Sequence, residues 1–223
     1  MRGFTQSWYG LMTSHQRKAL ISASLGWMLD SMDIMLYAMV LTHLMKEFGM
    51  STATGGLMGS LTLLASAAGG ILFGLIADRF GRVKALMGSI LIYSLFTGAC
   101  GLSQSIMQLA IFRVLLGLGM GGEWATGAAL VAETWPSEHR GKALGLMQSS
   151  WAIGYALAAA VTALILPRLG WRGVFFVGVL PALLTLWIRR HVEEPEIWKK
   201  IAAQKKSTTA RANLSEIFRR PLL

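Results

Sequence analysis

Ionised side chains are scarce in this sequence. Aspartate, glutamate, lysine and arginine together make up 14% of its 223 residues, whereas hydrophobic residues make up 54%. Soluble domains carry about 25% charged residues, so the chain lacks the polar groups that would cover a water-facing surface. The mean hydropathy of +0.52 agrees with this. The composition therefore excludes an ordinary soluble domain and favours a membrane protein.

Cysteine is almost absent, since Cys100 is the single one. A disulfide framework and a cysteine metal cluster are thereby excluded. The four histidines are not spaced as metal ligands, and the sequence has no Ser-His-Asp set, Cys-His pair or phosphate-binding Walker loop. We expect no enzyme activity, no metal and no cofactor.

Acidic residues are outnumbered by basic ones, 11 to 21, which gives a net charge of +10. Such an excess can indicate a nucleic-acid partner. Here the basic residues lie between apolar runs and in the tails, with no separate basic domain to present them. We therefore predict contact with a lipid bilayer and none with nucleic acid.

Long apolar runs are abundant. A transmembrane helix needs about 20 apolar residues, and six segments qualify: 19–43, 54–77, 84–104, 107–132, 142–167 and 172–189. The first is too long for a signal peptide and contains two aspartates. The prediction is an all-α membrane protein with a tail (1–18), a six-helix domain (19–190) and a polar tail or central loop (191–223).

The lysines and arginines predict the orientation of these helices. With both termini in the cytoplasm, 17 of the 21 lie on the inner side, three lie outside and one, Arg113, lies within a span. Cytoplasmic segments carry the excess of positive charge in membrane proteins. Both ends are therefore predicted to be cytoplasmic.

Between the second and third spans, residues 74–86 read GLIADRFGRVKAL. This pattern of glycines, one aspartate and three cations resembles the signature loop of the major facilitator superfamily. RVLLGLGMGGEW (113–124), AETWPSEHRG (132–141), GWRGVFF (170–176) and EEPEIW (193–198) resemble later signatures of the same family in the same order. The resemblance covers essentially the whole chain.

The resemblance implies a carrier of the cell membrane, in bacteria the inner membrane, whose six-helix halves are each a 3+3 inverted repeat. Family members normally have twelve spans, and this sequence has six. We therefore expect the N-terminal half of a carrier, with a C-terminal six-helix half as its partner. LGWMLDSMDIMLY (25–37) resembles most the carboxylate and sialate proton symporters, and the metabolite and aromatic-acid branches stay open.

The charged turn at residues 74–86 predicts a cytoplasmic gate at the inner ends of the second and fourth spans. We expect Arg82 to meet Glu133, and Asp78 to meet Arg140 or to cap a neighbouring helix. Glycines four apart are expected to allow close packing between helices. The predicted gate comprises Gly74, Asp78, Arg79, Gly81, Arg82, Glu133 and Arg140. The predicted packing pairs are Gly70/Gly74, Gly117/Gly121 and Gly141/Gly145.

Four ionisable residues fall within the spans: Asp30, Asp33, Arg113 and Glu123. Charges at the bilayer centre cost about 2.5–3.5 kcal/mol each and tend to mark ion or substrate pathways. The rise of an α-helix places Asp33 and Arg113 at similar depth, so we expect them to meet. Asp33, with Asp30 as the alternative, is predicted to bind and release the transported proton. Arg113 is predicted to control the proton affinity of that aspartate. The alternative is an ion pair that only joins two helices.

Polar and aromatic side chains within the spans are the substrate candidates: Tyr37, Gln148, Trp151 and Tyr155. Trp8, Trp27, Trp171 and Trp187 are expected to anchor span ends at the membrane interface. The leading hypothesis is proton-coupled symport of a small organic acid. An uncoupled facilitator of a sugar-like solute and a six-span regulatory or scaffolding protein are the alternatives.

Overall fold

The structure, a computed structural model, describes residues 12–207. Within that range the chain is a bundle of helices: α1 (Ser14–Phe48), α2 (Thr52–Phe80), α3 (Arg82–Gly101), α4 (Ile106–Thr134), α5 (Ser137–Val177), α6 (Pro181–His191) and α7 (Glu196–Ser207). The predicted all-α fold is confirmed. Trp8 and residues 208–223 of the predicted tail lie outside the described residues.

Local sequence signals explain where the helices begin and end. Thr13 and Gln16 form a capping box at the start of α1, and Gly49 ends that helix in the left-handed conformation at φ 63°. The hydroxyls of Ser51 and Ser105 accept hydrogen bonds from backbone amides in the first turns of α2 and α4. Such caps satisfy amides that have no partner within the helix.

Among the described residues, five helical stretches are long and apolar enough to cross a membrane. The fifth, Ser137–Ile188, is 52 residues long and contains both the fifth and the sixth predicted span. Gly170 interrupts it with φ 66° and ψ −174°. A side chain at positive φ is strained, so glycine suits this break.

The chain reverses at this break. Trp171 and Arg172 bond Glu47 at the far end of α1, and Glu194 bonds the backbone amide of Val83 at the start of α3. The segment 171–191 therefore runs antiparallel to α3 and returns to the side where α3 begins. The fifth and sixth predicted spans therefore follow each other in one nearly continuous helical stretch. The non-helical backbone of Gly170 is the point at which one span ends and the other begins.

Helix α4 packs closely along α2. A side chain at Gly117 or Gly121 would collide with the carbonyl groups of Thr62 or Ser66 on α2, so the predicted close packing at this glycine pair is confirmed. Gly74, Gly141 and Gly145 have open space beside them apart from their own stretch of helix, so the close packing expected at these glycines is absent within the described chain.

Candidate transport cavity and cytoplasmic ion-pair cluster

A cavity of about 560 Å³ lies between α1, α2, α4 and α5. Its wall is mostly apolar, and Asp30 is the one ionisable side chain in it. Thr62 and Ser66 supply hydroxyl groups from α2. The remaining lining residues are Trp27, Ile34, Leu63, Ala67, Gly70, Ile71, Met120, Gly121, Trp124, Ala125 and Trp151.

Three tryptophans meet at one end of this cavity. The ring of Trp27 on α1 lies 4.6 Å from that of Trp151 on α5 and 6.3 Å from that of Trp124 on α4, centroid to centroid. Trp27 is therefore part of the cavity wall, and its predicted role as an interface anchor is wrong. The spacing of tryptophans along the chain gave no signal for this cluster, because three different helices contribute to it.

Asp30 and Glu123 are buried carboxyl groups on facing helices, with exposed fractions of 3% and 0%. Glu123 packs against Gly26, which precedes Asp30 by one turn on the same face of α1. Oδ1 of Asp30 and both carboxyl oxygens of Glu123 have no hydrogen-bond partner among the described residues.

Asp33 has different neighbours. Its Oδ2 accepts a 2.6 Å hydrogen bond from the hydroxyl of Thr97 on α3, and Oδ1 lies beside Gly178. The same hydroxyl lies 2.9 Å from the carbonyl oxygen of Tyr93 one turn earlier, so its single proton is shared between two acceptors. Asp33 is thus attached to α3 and the start of the sixth span, and it does not line the cavity.

Arg113 is 4% exposed and lies over the ring of Tyr37, with Cζ 3.6 Å from the ring centroid. Its Nε donates to Oγ1 of Thr62 at 3.0 Å. The described structure holds no ion pair between Arg113 and Asp33. Tyr37 and Thr62 hold the guanidinium in this structure, so a contact between Arg113 and Asp33 at another stage of a transport cycle stays a prediction.

Of the predicted substrate residues, Trp151 lines the cavity. Tyr37 is buried beneath Arg113 and donates its hydroxyl proton to the carbonyl of Gly55 at 2.8 Å. Gln148 and Tyr155 are exposed on α5 and do not line the cavity in this chain. Helix rotation therefore separates residues that sequence reasoning had grouped.

The cytoplasmic cluster is centred on Arg82. This arginine bonds Oδ1 of Asp78 at 2.6 Å and Oε1 of Glu133 at 2.7 Å, so it joins the last turn of α2 to the end of α4. The predicted Arg82–Glu133 contact is present. The predicted contact of Asp78 with Arg140 is absent from the described structure. Asp78 forms its ion pair with Arg82 instead, and Arg140 donates to the carbonyl of Trp135 at 3.4 Å.

Other predicted gate residues have different positions. Arg79 lies over the ring of Phe80 at 5.4 Å. Gly74 has open space around it, so the close approach expected there is absent within the described chain. Gly81, in contrast, has φ 118° and links α2 to α3 with a carboxylate beside it.

That carboxylate belongs to Glu194, which sequence reasoning did not single out. Its oxygens accept hydrogen bonds from the backbone amides of Val83 and Lys84 at 3.1–3.3 Å. Helix α3 has no side-chain cap of its own at Gly81, so a residue about 110 positions later provides one. Trp198 of α7 donates to the carbonyl of Asp78 at 3.4 Å, which adds a second link between the tail and this turn.

Comparison with known proteins agrees with this architecture. Residues 23–223 match the profile of the Major Facilitator Superfamily. The chain belongs to this superfamily. Its long apolar helices make it a multi-pass membrane protein.

Two curated relatives are named as transporters. The chain is 40% identical to a probable 4-methylmuconolactone transporter of Cupriavidus pinatubonensis over 96% of this chain and 50% of that protein. It is 36% identical to the sialic acid transporter NanX of Escherichia coli over 97% of this chain and 52% of that protein. The chain therefore spans about half the length of these relatives. Their names agree with the prediction that it is no enzyme.

The fold is similar to that of the xylose transporter XylE from E. coli in a partially occluded inward open conformation. The TM-score is 0.75 at 22% identity, over 87% of this chain and 52% of that one. The likeness confirms the expected six-helix half of a carrier fold.

Proposed function

We propose that the chain forms the N-terminal half of a secondary active transporter that moves a small organic acid together with a proton across the cell membrane. The relatives named above support a transport role. The single observation that carries the proton proposal is Asp30, a buried carboxyl group in the cavity wall, with the buried side chain of Glu123 packed against Gly26 one helical turn away.

The chemistry of this pair suits reversible proton binding. A buried charge without a partner is costly, and a carboxyl group loses its charge when it binds a proton. Oδ1 of Asp30 has no hydrogen-bond partner among the described residues, so it is free to accept a proton. A proton taken up here neutralises the wall next to an entering anion.

We propose that the positive charge of Arg113 attracts that anion. Its guanidinium is held behind Thr62, whose hydroxyl is part of the cavity wall. Arginine stays charged at physiological pH, so its field acts on the cavity in every state of the cycle. Protonation of Asp30 removes the opposing negative charge, and substrate binding and proton binding therefore favour each other.

The cytoplasmic cluster is the proposed gate of the cycle. Arg82 connects the inner ends of α2 and α4 through Asp78 and Glu133. An ion-pair cluster that forms in only one state stabilises that state relative to the other. We propose that the cluster favours the outward-open state when both halves of the carrier are present.

Uptake by the full-length product of the native reading frame, reconstituted in liposomes, tests this function. Asp30→Asn should abolish uphill uptake driven by a pH gradient and should spare exchange between equal substrate pools. Asp33→Asn is the matched variant: it changes a neighbouring buried carboxyl that lies outside the cavity, and it should retain uphill uptake at a reduced level.

If Asp30→Asn still concentrates substrate and Asp33→Asn does not, the proton site is Asp33. If both variants concentrate substrate, neither aspartate couples transport to protons. Wild-type equilibration without accumulation identifies an uncoupled facilitator.

A further inference from the structure

We infer that Trp27, Trp124 and Trp151 form a stacking site for the planar, conjugated part of the transported acid, an inference that rests on the proposed function and deepens it. We call these three residues the indole cluster. They come from three helices and meet at one end of the cavity, with tilted rings 4.6 Å and 6.3 Å apart. Tilted and offset arrangements are the favourable ones for aromatic rings.

The cluster is incompletely covered by the protein. Trp124 is 48% exposed although it lines the cavity. An indole that serves only core packing is highly buried on average, as Trp171 is here at 5%. The open faces of the indole cluster therefore leave room for a further ring.

Two polar atoms at this end lack partners. The indole N–H of Trp27 and Oδ1 of Asp30 are buried without a hydrogen-bond partner among the described residues. Buried polar groups are almost always hydrogen-bonded. A ligand that carries an acceptor on or beside its ring satisfies the Trp27 N–H, and a protonated Asp30 can donate to the same ligand.

The electrostatics orient the ligand. Arg113 supports Thr62 from behind, and Thr62 lies against Gly117 of α4. Gly117 and Trp124 are seven residues apart, which corresponds to about 10 Å along a helix. The Thr62 hydroxyl already donates to the carbonyl of Met58, so the attraction for a carboxylate at this end is the positive charge of Arg113 behind it. One ring and one carboxylate fit that length, with the carboxylate toward the Arg113 end and the ring among the indoles.

Stacking distinguishes a flat ring from a saturated one of similar size. Aromatic pairs contribute about 0.5–1.5 kcal/mol beyond the burial of their area, which is about a two- to ten-fold change in affinity. The inferred substrate class is therefore a small acid with an aromatic or conjugated planar group, in preference to a saturated or polyhydroxylated acid of the same charge.

The test is calorimetric binding of benzoate and cyclohexanecarboxylate to the full-length product of the native reading frame in detergent. The two probes are anions at neutral pH and have similar size, but only benzoate is planar. We expect benzoate to bind about two- to ten-fold more tightly. Trp124→Leu should equalise the two affinities, and Trp124→Phe should restore most of the difference.

Phe176→Leu is the control variant, since Phe176 is an exposed aromatic residue in the sixth span and lies outside the cavity lining. It should keep the wild-type preference. Equal affinities in the wild type, or binding of neither probe, overturn the inference. So does tighter binding of choline than of benzoate, because the indole cluster is then a cation site.

Failure of this inference and failure of the proposed function have different signatures. pH-driven uptake of acids without a preference for planar ones removes the stacking site and leaves the transport proposal intact. A planar preference in binding without uphill uptake keeps the stacking site and removes proton coupling.

Discussion

Asp30 and Asp33 lie three residues apart on α1 but have different surroundings. Asp30 is in the wall of the cavity, whereas Asp33 accepts a hydrogen bond from Thr97 on α3. Helix α1 thus presents one carboxyl group to the proposed substrate path and attaches the other to a neighbouring helix. The two residues should respond differently to substitution.

Removing the hydroxyl of Thr97 tests the structural role of Asp33. Thr97→Val should lower the stability of the protein by about 1–3 kcal/mol, because a buried oxygen loses its hydrogen-bond donor. Thr97→Ser keeps the donor and serves as the control. Thermal unfolding in detergent measures the difference. Loss of uphill uptake in Thr97→Val at unchanged stability would contradict the assignment of Asp33 to structure.

Arg82 should dominate the cytoplasmic cluster, since it contacts both acids while Asp78 is largely exposed. Exposed ion pairs contribute about 0–1 kcal/mol. Arg82→Gln should therefore shift the full carrier toward the inward-open state more than Asp78→Asn does. Arg79→Gln is the control, because Arg79 contacts the Phe80 ring and no acid among the described ion pairs.

Labelling of a cysteine introduced at Ser66, in the cavity wall, reports this shift. Inside-out vesicles exposed to an impermeant thiol reagent should show faster labelling in Arg82→Gln than in the wild type. The native Cys100 is buried and should label slowly. Equal labelling rates in Arg82→Gln and the wild type would remove the gate.

Glu194 should stabilise the start of α3. Loss of a helix cap costs about 0.5–2 kcal/mol, so Glu194→Ala should unfold at lower temperature than the wild type. Glu194→Gln retains a carbonyl acceptor and should be milder. Glu193→Ala is the neighbouring control, since its exposed carboxylate contacts only Lys199 at 3.6 Å among the described ion pairs. Equal thermal stability of Glu193→Ala and Glu194→Ala would refute the cap.

Gly121 should tolerate no side chain. A methyl group there meets the carbonyl of Ser66 and the backbone nitrogen of Gly70 on α2, neither of which is the end of a flexible side chain. Gly121→Ala should therefore separate α2 from α4 and reduce the folded yield. Gly59→Ala on α2 has open space and should be neutral or slightly stabilising. Size-exclusion profiles and thermal unfolding of the two variants measure this difference. Equal folded yield and stability of Gly121→Ala and Gly59→Ala would contradict the predicted close contact.

Both ends of the chain should be cytoplasmic, as the lysine and arginine pattern predicts. Lys46 and Lys200 are exposed positions near opposite ends of the bundle. A cysteine at Lys46 should react with an impermeant reagent applied to intact cells. A cysteine at Lys200 should react only after permeabilisation, and the reverse pattern would invert the topology.

The local sequence determined that this protein lies in a membrane, that it is all-α and where its membrane spans lie. Hydropathy and helix capping depend on residues that are close together in the chain, which is why the sequence alone was enough. Family-like motifs also led to the Arg82–Glu133 contact. The same reasoning predicted a contact between Asp33 and Arg113 that this structure does not contain. Equal depth in the membrane does not make two side chains meet, since each helix also has a rotation about its own axis.

Only the tertiary structure decided that rotation. Asp30 and Asp33 are about 60° apart around α1, too close for periodicity to assign one of them to the cavity. Packing of Glu123 on Gly26 and of Thr97 on Asp33 separates them. The indole cluster and the Glu194 cap likewise join residues from distant parts of the chain. Their positions follow from how the helices pack, which no local pattern records.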